Sequence, residues 1–488
     1  MKNTVILFNP CGDASHSLSP IPFSLLAVGT PLQKAGYKVM ILDERVEDTN
    51  FIKKKIDENL SDTLMIGMTC MTGSPIKHAL SMAKYIKSKN EEIPIVWGGF
   101  HPSLLPEQTI QNELVNIIVK GHGMETIIEL ANALSSNKPL DGIKGIVYKS
   151  NNDVRYTPDR PFSDKFAEIN YDLIDAEKYI TNYYGMRWID YLSSYGCPHR
   201  CSFCSISFLY GHRWWSLPAK KVVDDWEYLT KKYNVTGIRL SDDNFYVNKQ
   251  RIEEICDEII KRGLKIKWEA MTRASYVAGY SDEFLEKLKK AGLFLFVFGM
   301  ESGLEGVLEK IKKDTTVEEN LKAIRRCKEH SIEASSTFMV GFPFETDKDV
   351  SDLLDFFDNV HSLNPKFKMM LCIYGPGPNT ELYNETVKKY GIKPKTLEEW
   401  GSFDWGSYDY NQTPYITRER RERLQTISFV VQFLFGRIGE NLTKPYQKIG
   451  FKFLSGVAKL RWRYRFFKFP VEWHLYTFIK NTWRIKIY

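Results

Sequence analysis

Tyr195-Gly-Cys197-Pro-His-Arg-Cys201-Ser-Phe-Cys204 sets three cysteines apart by three and then two residues. Three thiolates packed into one short loop can hold three irons of a cubane cluster and leave the fourth iron open to substrate or cofactor. Structural zinc sites are closed by four ligands, usually two separated pairs, and no second Cys/His pair at ribbon spacing follows Cys204. His199 and His212 lie near enough in sequence to complete a three-Cys, one-His zinc site, which stays open as the alternative. A disulfide is disfavoured. The chain has 8 cysteines in 488 residues, and Met1-Lys-Asn-Thr-Val-Ile-Leu-Phe-Asn-Pro10 runs directly into a strand pattern without a secretory leader.

Outward from the cysteine loop, Trp188 to Ser194 reads as the strand that enters it. Further strand patterns follow at Gly237–Phe245, Lys265–Ala270, Phe294–Glu301, Glu333–Gly341 and Lys368–Ile373, separated by amphipathic helical segments. Six strand–helix units predict a parallel partial (β/α)6 barrel over residues 186–385, with chemistry at the carboxyl ends of the strands. Those ends are polar where a core would not be. Asp242 and Asp243 close the second strand, Arg273 follows the third, Glu301 closes the fourth, Gly341 the fifth, and Cys372 lies near the end of the sixth. A carboxylate ending a run as apolar as Leu293 to Met300 is expensive unless paired, and Arg273 is a candidate partner for it.

Residues 1–150 carry a second alternating series. Strand patterns at Val5–Phe8, Lys38–Leu42, Thr63–Gly67, Ile93–Trp97 and Val115–Val119 predict a doubly wound, Rossmann-like parallel sheet. Ligands of such sheets bind at the carboxyl strand ends, which here carry Asn9, Thr69 to Gly73 with Thr72, Gly98-Gly99-Phe-His101, and Gly121-His-Gly123. Residues 151–185 read as a polar connector. Cys11, Cys256 and Cys327 read as small apolar side chains, whereas Cys70 and Cys372 are placed where they could face a reaction chamber.

Cys-x3-Cys-x-Phe-Cys resembles the signature of the radical S-adenosylmethionine (SAM) enzymes. The resemblance implies that Cys197, Cys201 and Cys204 bind a [4Fe–4S] cluster whose fourth iron takes SAM, and that Phe203 lies beside the adenine. It implies further that Asp242 or Asp243 meets the SAM amino group, that Glu301 accepts from the ribose hydroxyls, that Arg273 meets the SAM carboxylate, and that Gly341 allows close approach of the adenine. The Thr69-x-x-Thr-Gly, Gly98-Gly99 and Gly121-His-Gly123 loops resemble the cobalamin-binding domain of class B members. Asn9, Thr69, Thr72, Gly98, Gly99, His101, Gly121 and Gly123 are the cobalamin contacts so implied. No Asp-x-His-x-x-Gly follows the first strand, and Gly121-His-Gly-Met stands where the family has Gly-Glu-Gly-Glu.

The implied activity is cobalamin-dependent radical C-methylation of an unactivated carbon: reductive cleavage of SAM to a 5′-deoxyadenosyl radical, hydrogen abstraction, and methyl transfer from methylcobalamin. No general acid or base is assigned. Ring formation or rearrangement with the same cofactors is the second reading, and a metal-binding module that recognises nucleic acid is a remote third. The expected partners are a small apolar or lipid-like substrate and an external one-electron reductant.

Net charge is +7 overall, but from Asn411 onward 16 Lys/Arg stand against 4 Asp/Glu. That basic excess belongs to an aromatic C-terminal domain, residues 386–488, in which Lys459-Leu-Arg-Trp-Arg-Tyr-Arg-Phe-Phe-Lys468 is followed by Trp473, Tyr476, Phe478 and Trp483. Such a segment suits a helical cap on the barrel or an anionic membrane surface better than nucleic acid. No apolar stretch reaches the length of a membrane span. The expected location is cytoplasmic, with membrane association through the tail.

Overall fold

The computed structural model describes residues 2–12, 20–151, 153–163, 165–391, 394–402, 413, 415–437, 439, 442, 445–469 and 471–472. The tail aromatics Trp473, Tyr476, Phe478 and Trp483 lie outside the described residues. Two units are formed, Met1–Tyr179 with Gly377–Gln412, and Ile180–Pro376 with Thr413–Tyr488.

In the first unit, strands β1 (Thr4–Asn9), β2 (Lys38–Asp43), β3 (Thr63–Thr69), β4 (Ile95–Gly98), β5 (Ile117–Val119), β6 (Ile146–Ser150) and β7 (Asp153–Tyr156) form one sheet. Its order is β2-β1-β3-β4-β5-β6-β7. The first five strands are parallel, as their unbroken apolar runs require, because helices bury both faces. Ile6, Phe8, Ile66 and Trp97 enter one core, and Val5, Leu7, Met65 and Val96 the other. β6 and β7 form an antiparallel hairpin on the β5 edge, so the polar connector expected from residue 151 begins inside the sheet.

The expected single domain over 386–488 is divided instead. Leu397 and Trp400 join the first unit's core beside Ile76 and Ala79, because the helix Leu397–Gly401 seals an apolar gap over the helix Pro75–Lys89. The rest of the tail belongs to the second unit.

The second unit holds β8 (Thr181–Tyr183), β9 (Met186–Tyr191), the hairpin β10 (Ser194–Gly196) and β11 (Trp214–Ser216), then β12 (Gly237–Leu240), β13 (Lys267–Thr272), β14 (Leu293–Glu301), β15 (Glu333–Val340) and β16 (Lys368–Ile373). Six parallel strands run β9-β12-β13-β14-β15-β16, with β8 added antiparallel at the β9 edge. This is the expected open half-barrel. Burial alternates along it: Ile189, Ile238, Trp268, Phe296, Phe298, Phe338 and Leu371 are sealed on one face. Each such side chain contributes about 1.5–3 kcal/mol by leaving water. The opposite face, carrying Met271, Val297, Ser335, Thr337, Met339, Met370 and Cys372 in register, remains accessible and lines the lumen.

The lumen floor is polar but paired, Arg239 lying 3.0 Å from Glu269 and 3.4 Å from Asp190. The β16 edge is covered by the helix Arg418–Phe435, whose Ser428 hydroxyl donates to the Leu371 carbonyl at 2.6 Å. The helix Pro445–Arg463 packs on that helix in turn, with Phe451 stacked on Phe433.

Candidate active site

The cysteine loop lies between β10 and the helix Ser205–Tyr210 and is tied down at both ends. Asp242, just past β12, is buried and accepts from the Ser193 amide at 2.7 Å, the Ser193 hydroxyl at 2.6 Å and the Ser194 hydroxyl. Burial still pushes its carboxyl pKa up, against the pull of these donors. Asp243 accepts from the Gly196 amide at 2.7 Å, one residue before Cys197. Its carboxyl is raised to about 6 by burial and, against the Gly196 amide, by its neighbour Asp242. Gly196 has φ +81, and a Cβ there would stand 2.3 Å from the Arg213 carbonyl oxygen, so this approach to the loop requires glycine.

Past the first cysteine, the Ser202 amide donates to the Ile311 carbonyl at 2.9 Å, and Arg200 pairs with Asp314 at 3.2 Å. The segment Ile311 to Asp314 is thus a second wall of the site, one that the sequence reading missed. Lys313 sits on it, 3.1 Å from Glu301 and 5.9 Å from the centre of the Phe203 ring. Glu301 therefore pairs with Lys313, and the pairing with Arg273 considered from sequence does not occur. Glu301 also holds φ +67, an uncommon conformation for a side chain of its size and one kept at a strand end facing the lumen.

Arg273 points at the cysteines. One terminal nitrogen lies 3.6 Å from Cys201 Sγ, the other donates to the Asp314 carbonyl at 3.2 Å, and its buried Nε has no partner among the described residues. Asn244 Nδ2 approaches Cys197 Sγ at 3.7 Å. Burial raises the Cys204 thiol to about 11 and the Cys197 thiol as well, with Cys201 adding to each. The zinc alternative fits poorly. Tetrahedral thiolates at about 2.3 Å from zinc sit about 3.8 Å apart, whereas among the described residues Cys197, Cys201 and Cys204 do not all lie within 4.8 Å of one another. His199 is engaged with the Tyr276 hydroxyl at 2.6 Å, and His212 with the His199 carbonyl at 3.1 Å.

At the carboxyl edge of the first unit's sheet, Asn9, Thr69, Gly98, Gly99 and Gly121 end neighbouring strands and stay accessible. Gly99 has φ +88, and a Cβ there would meet Thr69 Oγ1 at 2.7 Å. Ser103, also missed from sequence, accepts from the Gly121 amide at 3.0 Å and donates to the Gly99 carbonyl at 2.7 Å, joining two of these loops. Thr72 and His101 bond each other at 3.0 Å, and His101 is fully buried edge-on to Trp400. Burial lowers the His101 pKa to about 3, so it is a neutral brace between loops, and its buried Nε2 has no partner among the described residues. Gly123 is likewise buried.

A model of the radical SAM superfamily matches residues 191–357, and one of the B12 binding domain matches residues 15–131. An uncharacterised methyltransferase of Pyrococcus horikoshii is 32% identical over 371 residues, 74% of this chain and 78% of that protein. The chain belongs to the cobalamin-binding radical SAM family. As a methyltransferase of this family it works with a [4Fe–4S] cluster, SAM and cobalamin. The anaerobic magnesium-protoporphyrin IX monomethyl ester cyclase of Synechocystis is also similar, 28% identical over 71% of this chain and 70% of its own. The radical SAM methyltransferase TsrM of Kitasatospora setae, solved with cobalamin and a [4Fe–4S] cluster, shares the fold with a TM-score of 0.70. It covers 94% of this chain and 99% of that one at 17% identity.

The radical SAM half-barrel has side chains that suit its cofactors: three sulfurs spread wider than a zinc site, a guanidinium beside them, and an orphaned buried Arg273 Nε. The Gly99 to Thr69 contact marks backbone brought close at the B12-binding edge. The structure adds to several of the residues singled out from sequence. Asp242 has both oxygens occupied by Ser193 and Ser194, so of the two acids only Asp243 keeps an oxygen for a ligand. A Cβ at Gly341, φ +85, would meet Ile373, Ile416 and Leu424, so packing alone already requires glycine there. Cys70 is buried in the sheet core, whereas Cys372 does reach the lumen face, its thiol raised to about 11 by burial and by Glu301.

Proposed function

We propose that this methyltransferase places its methyl group on an unactivated carbon of an apolar small molecule held in the half-barrel lumen. The observation that carries this reading is the accessible row Met271, Val297, Thr337, Met339 and Met370, soft and nearly free of charge above the paired Arg239 floor. When bound, the cluster and SAM supply the hydrogen-abstracting radical and cobalamin supplies the methyl group.

The chain's own side chains bind and orient. Cys197, Cys201 and Cys204 would hold the cluster. Arg273 offers its unpartnered Nε to the SAM carboxylate. Asp243 offers its second oxygen to the SAM ammonium, while its first keeps the loop in place through Gly196. Lys313 holds Glu301 in reach of ribose hydroxyls and borders the Phe203 ring, which supports Phe203 as the adenine wall. In the first unit, the loops at Asn9, Thr69, Gly98, Gly99 and Gly121 would receive the corrin.

The test is a product analysis on cluster-reconstituted, cobalamin-loaded protein with SAM, a one-electron reductant and a panel of isoprenoid and tetrapyrrole candidates. Methylation adds one carbon and yields one 5′-deoxyadenosine and one S-adenosylhomocysteine per product. A product of unchanged carbon count would sink the methyl-transfer reading in favour of the cyclisation that the Synechocystis relative is named for.

A second feature bears on where such a substrate is met. On the helix Pro445–Arg463, Tyr446, Ile449, Phe453 and Leu460 are all more than half exposed on one face, and Tyr464 continues it. Phe451, Ser455, Ala458 and Trp462 occupy the opposite, packed face. Lys448, Lys452, Lys459 and Arg463 flank the exposed stripe. This pattern supports docking on an anionic lipid surface. No described helix is long and apolar enough to cross a membrane.

A further inference from the structure

Cys11, Glu44 and His78 come from three separate places in the first unit: the loop after β1, the loop after β2, and the first turn of the helix Pro75–Lys89. Among the described residues they form the one group of three such side chains whose ligand atoms all lie within 4.8 Å of one another. Cys11 Sγ is 3.1 Å from His78 Nδ1, and Glu44 Oε2 is 3.1 Å from the same nitrogen. A nucleophile relay would use the two opposite ring nitrogens, one toward the thiol and one toward the carboxylate. Here the sulfur and the carboxylate both converge on Nδ1, with Nε2 farther from Sγ at 3.6 Å.

We infer that Cys11, Glu44 and His78 form a binding site for a thiophilic divalent cation, zinc by preference. Tetrahedral zinc with one sulfur and two nitrogen or oxygen ligands sets its ligand atoms about 3.3–3.8 Å apart, so the observed separations need only a few tenths of an ångström of opening. The ligand charges suit it, since a thiolate, a carboxylate and a neutral imidazole together balance a dication. Glu44 is already held for the task. Its Oε1 accepts from the Thr49 hydroxyl at 2.8 Å, and its Oε2 also accepts from the Cys11 amide at 3.2 Å. Outer partners of that kind fix ligand orientation in metal centres. The ion would cross-link the ends of β1 and β2 to a helix at the same sheet edge that receives the corrin.

The experiment uses the full chain with its cluster reconstituted and cobalamin bound, given one equivalent of zinc sulfate and desalted. Metal analysis is expected to return one zinc per chain, and zinc X-ray absorption a first shell with a single sulfur. Cys11→Ser and His78→Gln should lower retained zinc at least tenfold while iron and cobalt contents stay at wild-type levels. If either variant fails to fold, Glu44→Gln and the zinc-dependent rise in wild-type melting temperature give the same reading. A three-sulfur shell, which would place zinc on Cys197, Cys201 and Cys204, overturns the inference. So does wild-type protein that retains no zinc, or folded variants that retain it undiminished.

Discussion

Arg273 is the residue on which the SAM reading turns most directly. Its guanidinium is buried, one donor spent on the Asp314 carbonyl, one near Cys201 Sγ, and Nε unspent. An unsatisfied buried donor costs on the order of 1–3 kcal/mol, and more on a charged group, which an anionic ligand removes. Arg273→Met should therefore weaken SAM binding at least tenfold, about 1.4 kcal/mol, in equilibrium dialysis, while the visible spectrum of the cluster persists. Unchanged SAM affinity in a cluster-replete variant would refute the assignment. The cysteines, Arg273 and Glu301 were legible because each ends a strand or occupies a local motif. Lys313 was not: it lies on a loop with left-handed residues on either side, Lys312 and Asp314, and only the fold brings it to Glu301 and Phe203. The polar contacts of Cys11, read from sequence as a small apolar side chain, were hidden for the same reason, since Glu44 lies in a loop after β2 and His78 in a helix, both far from it in the chain.

At the scale of elements, the turn after β15 carries a pH response. Glu345 is buried, accepts from the Gly341 amide, and lies 3.7 Å from Arg420 of the covering helix. Burial outweighs both and raises its carboxyl to about 7, from an ordinary value of 4.5. A carboxyl whose folded pKa is raised binds its proton more tightly in the folded state. Its contribution is therefore most favourable below about 4.5 and is lost as pH climbs through about 7. The full swing is on the order of 3 kcal/mol as an upper bound. Glu345→Gln should gain stability relative to wild type between pH 5 and 8, seen as a rising difference in denaturation midpoint. A difference that stays flat or falls with pH would remove this account. The periodic strands themselves were readable: six apolar runs became the six parallel strands of the half-barrel, and five became the parallel core of the first sheet. Of the hairpin, β7 escaped because Asp153–Tyr156 is a short, mostly polar and exposed edge strand, and β6 because its apolar run is only Ile146, Val147 and Tyr148, too short to show a period although it is buried on both faces.

For the whole molecule, sequence composition separated a basic tail from a near-neutral body but could not divide that tail. Only packing shows Leu397 and Trp400 completing the first unit's core while the helix Arg418–Phe435 closes the half-barrel's open edge. That closure leaves the next helix with one face spent on Phe433 and Phe435 and the other presenting Tyr446, Ile449, Phe453 and Leu460. Each large apolar side chain sunk into lipid contributes about 1.5–3 kcal/mol, and each flanking Lys or Arg about 1 kcal/mol near an anionic surface. Binding that draws on both terms has a definite signature. The full chain should sediment with vesicles of phosphatidylcholine and phosphatidylglycerol and bind much more weakly to phosphatidylcholine alone. Added salt should weaken the first and leave the second nearly unchanged. Ile449→Glu and Phe453→Glu should each lower binding at least tenfold without changing SAM affinity, because among the described residues no hydrogen bond, ion pair or ring contact joins the stripe to Arg273 or the cysteine loop. Equal binding to both vesicle types, or no loss in either variant, would leave this face as an ordinary solvent-exposed cap and would separate the lumen's apolar chemistry from any membrane source of substrate.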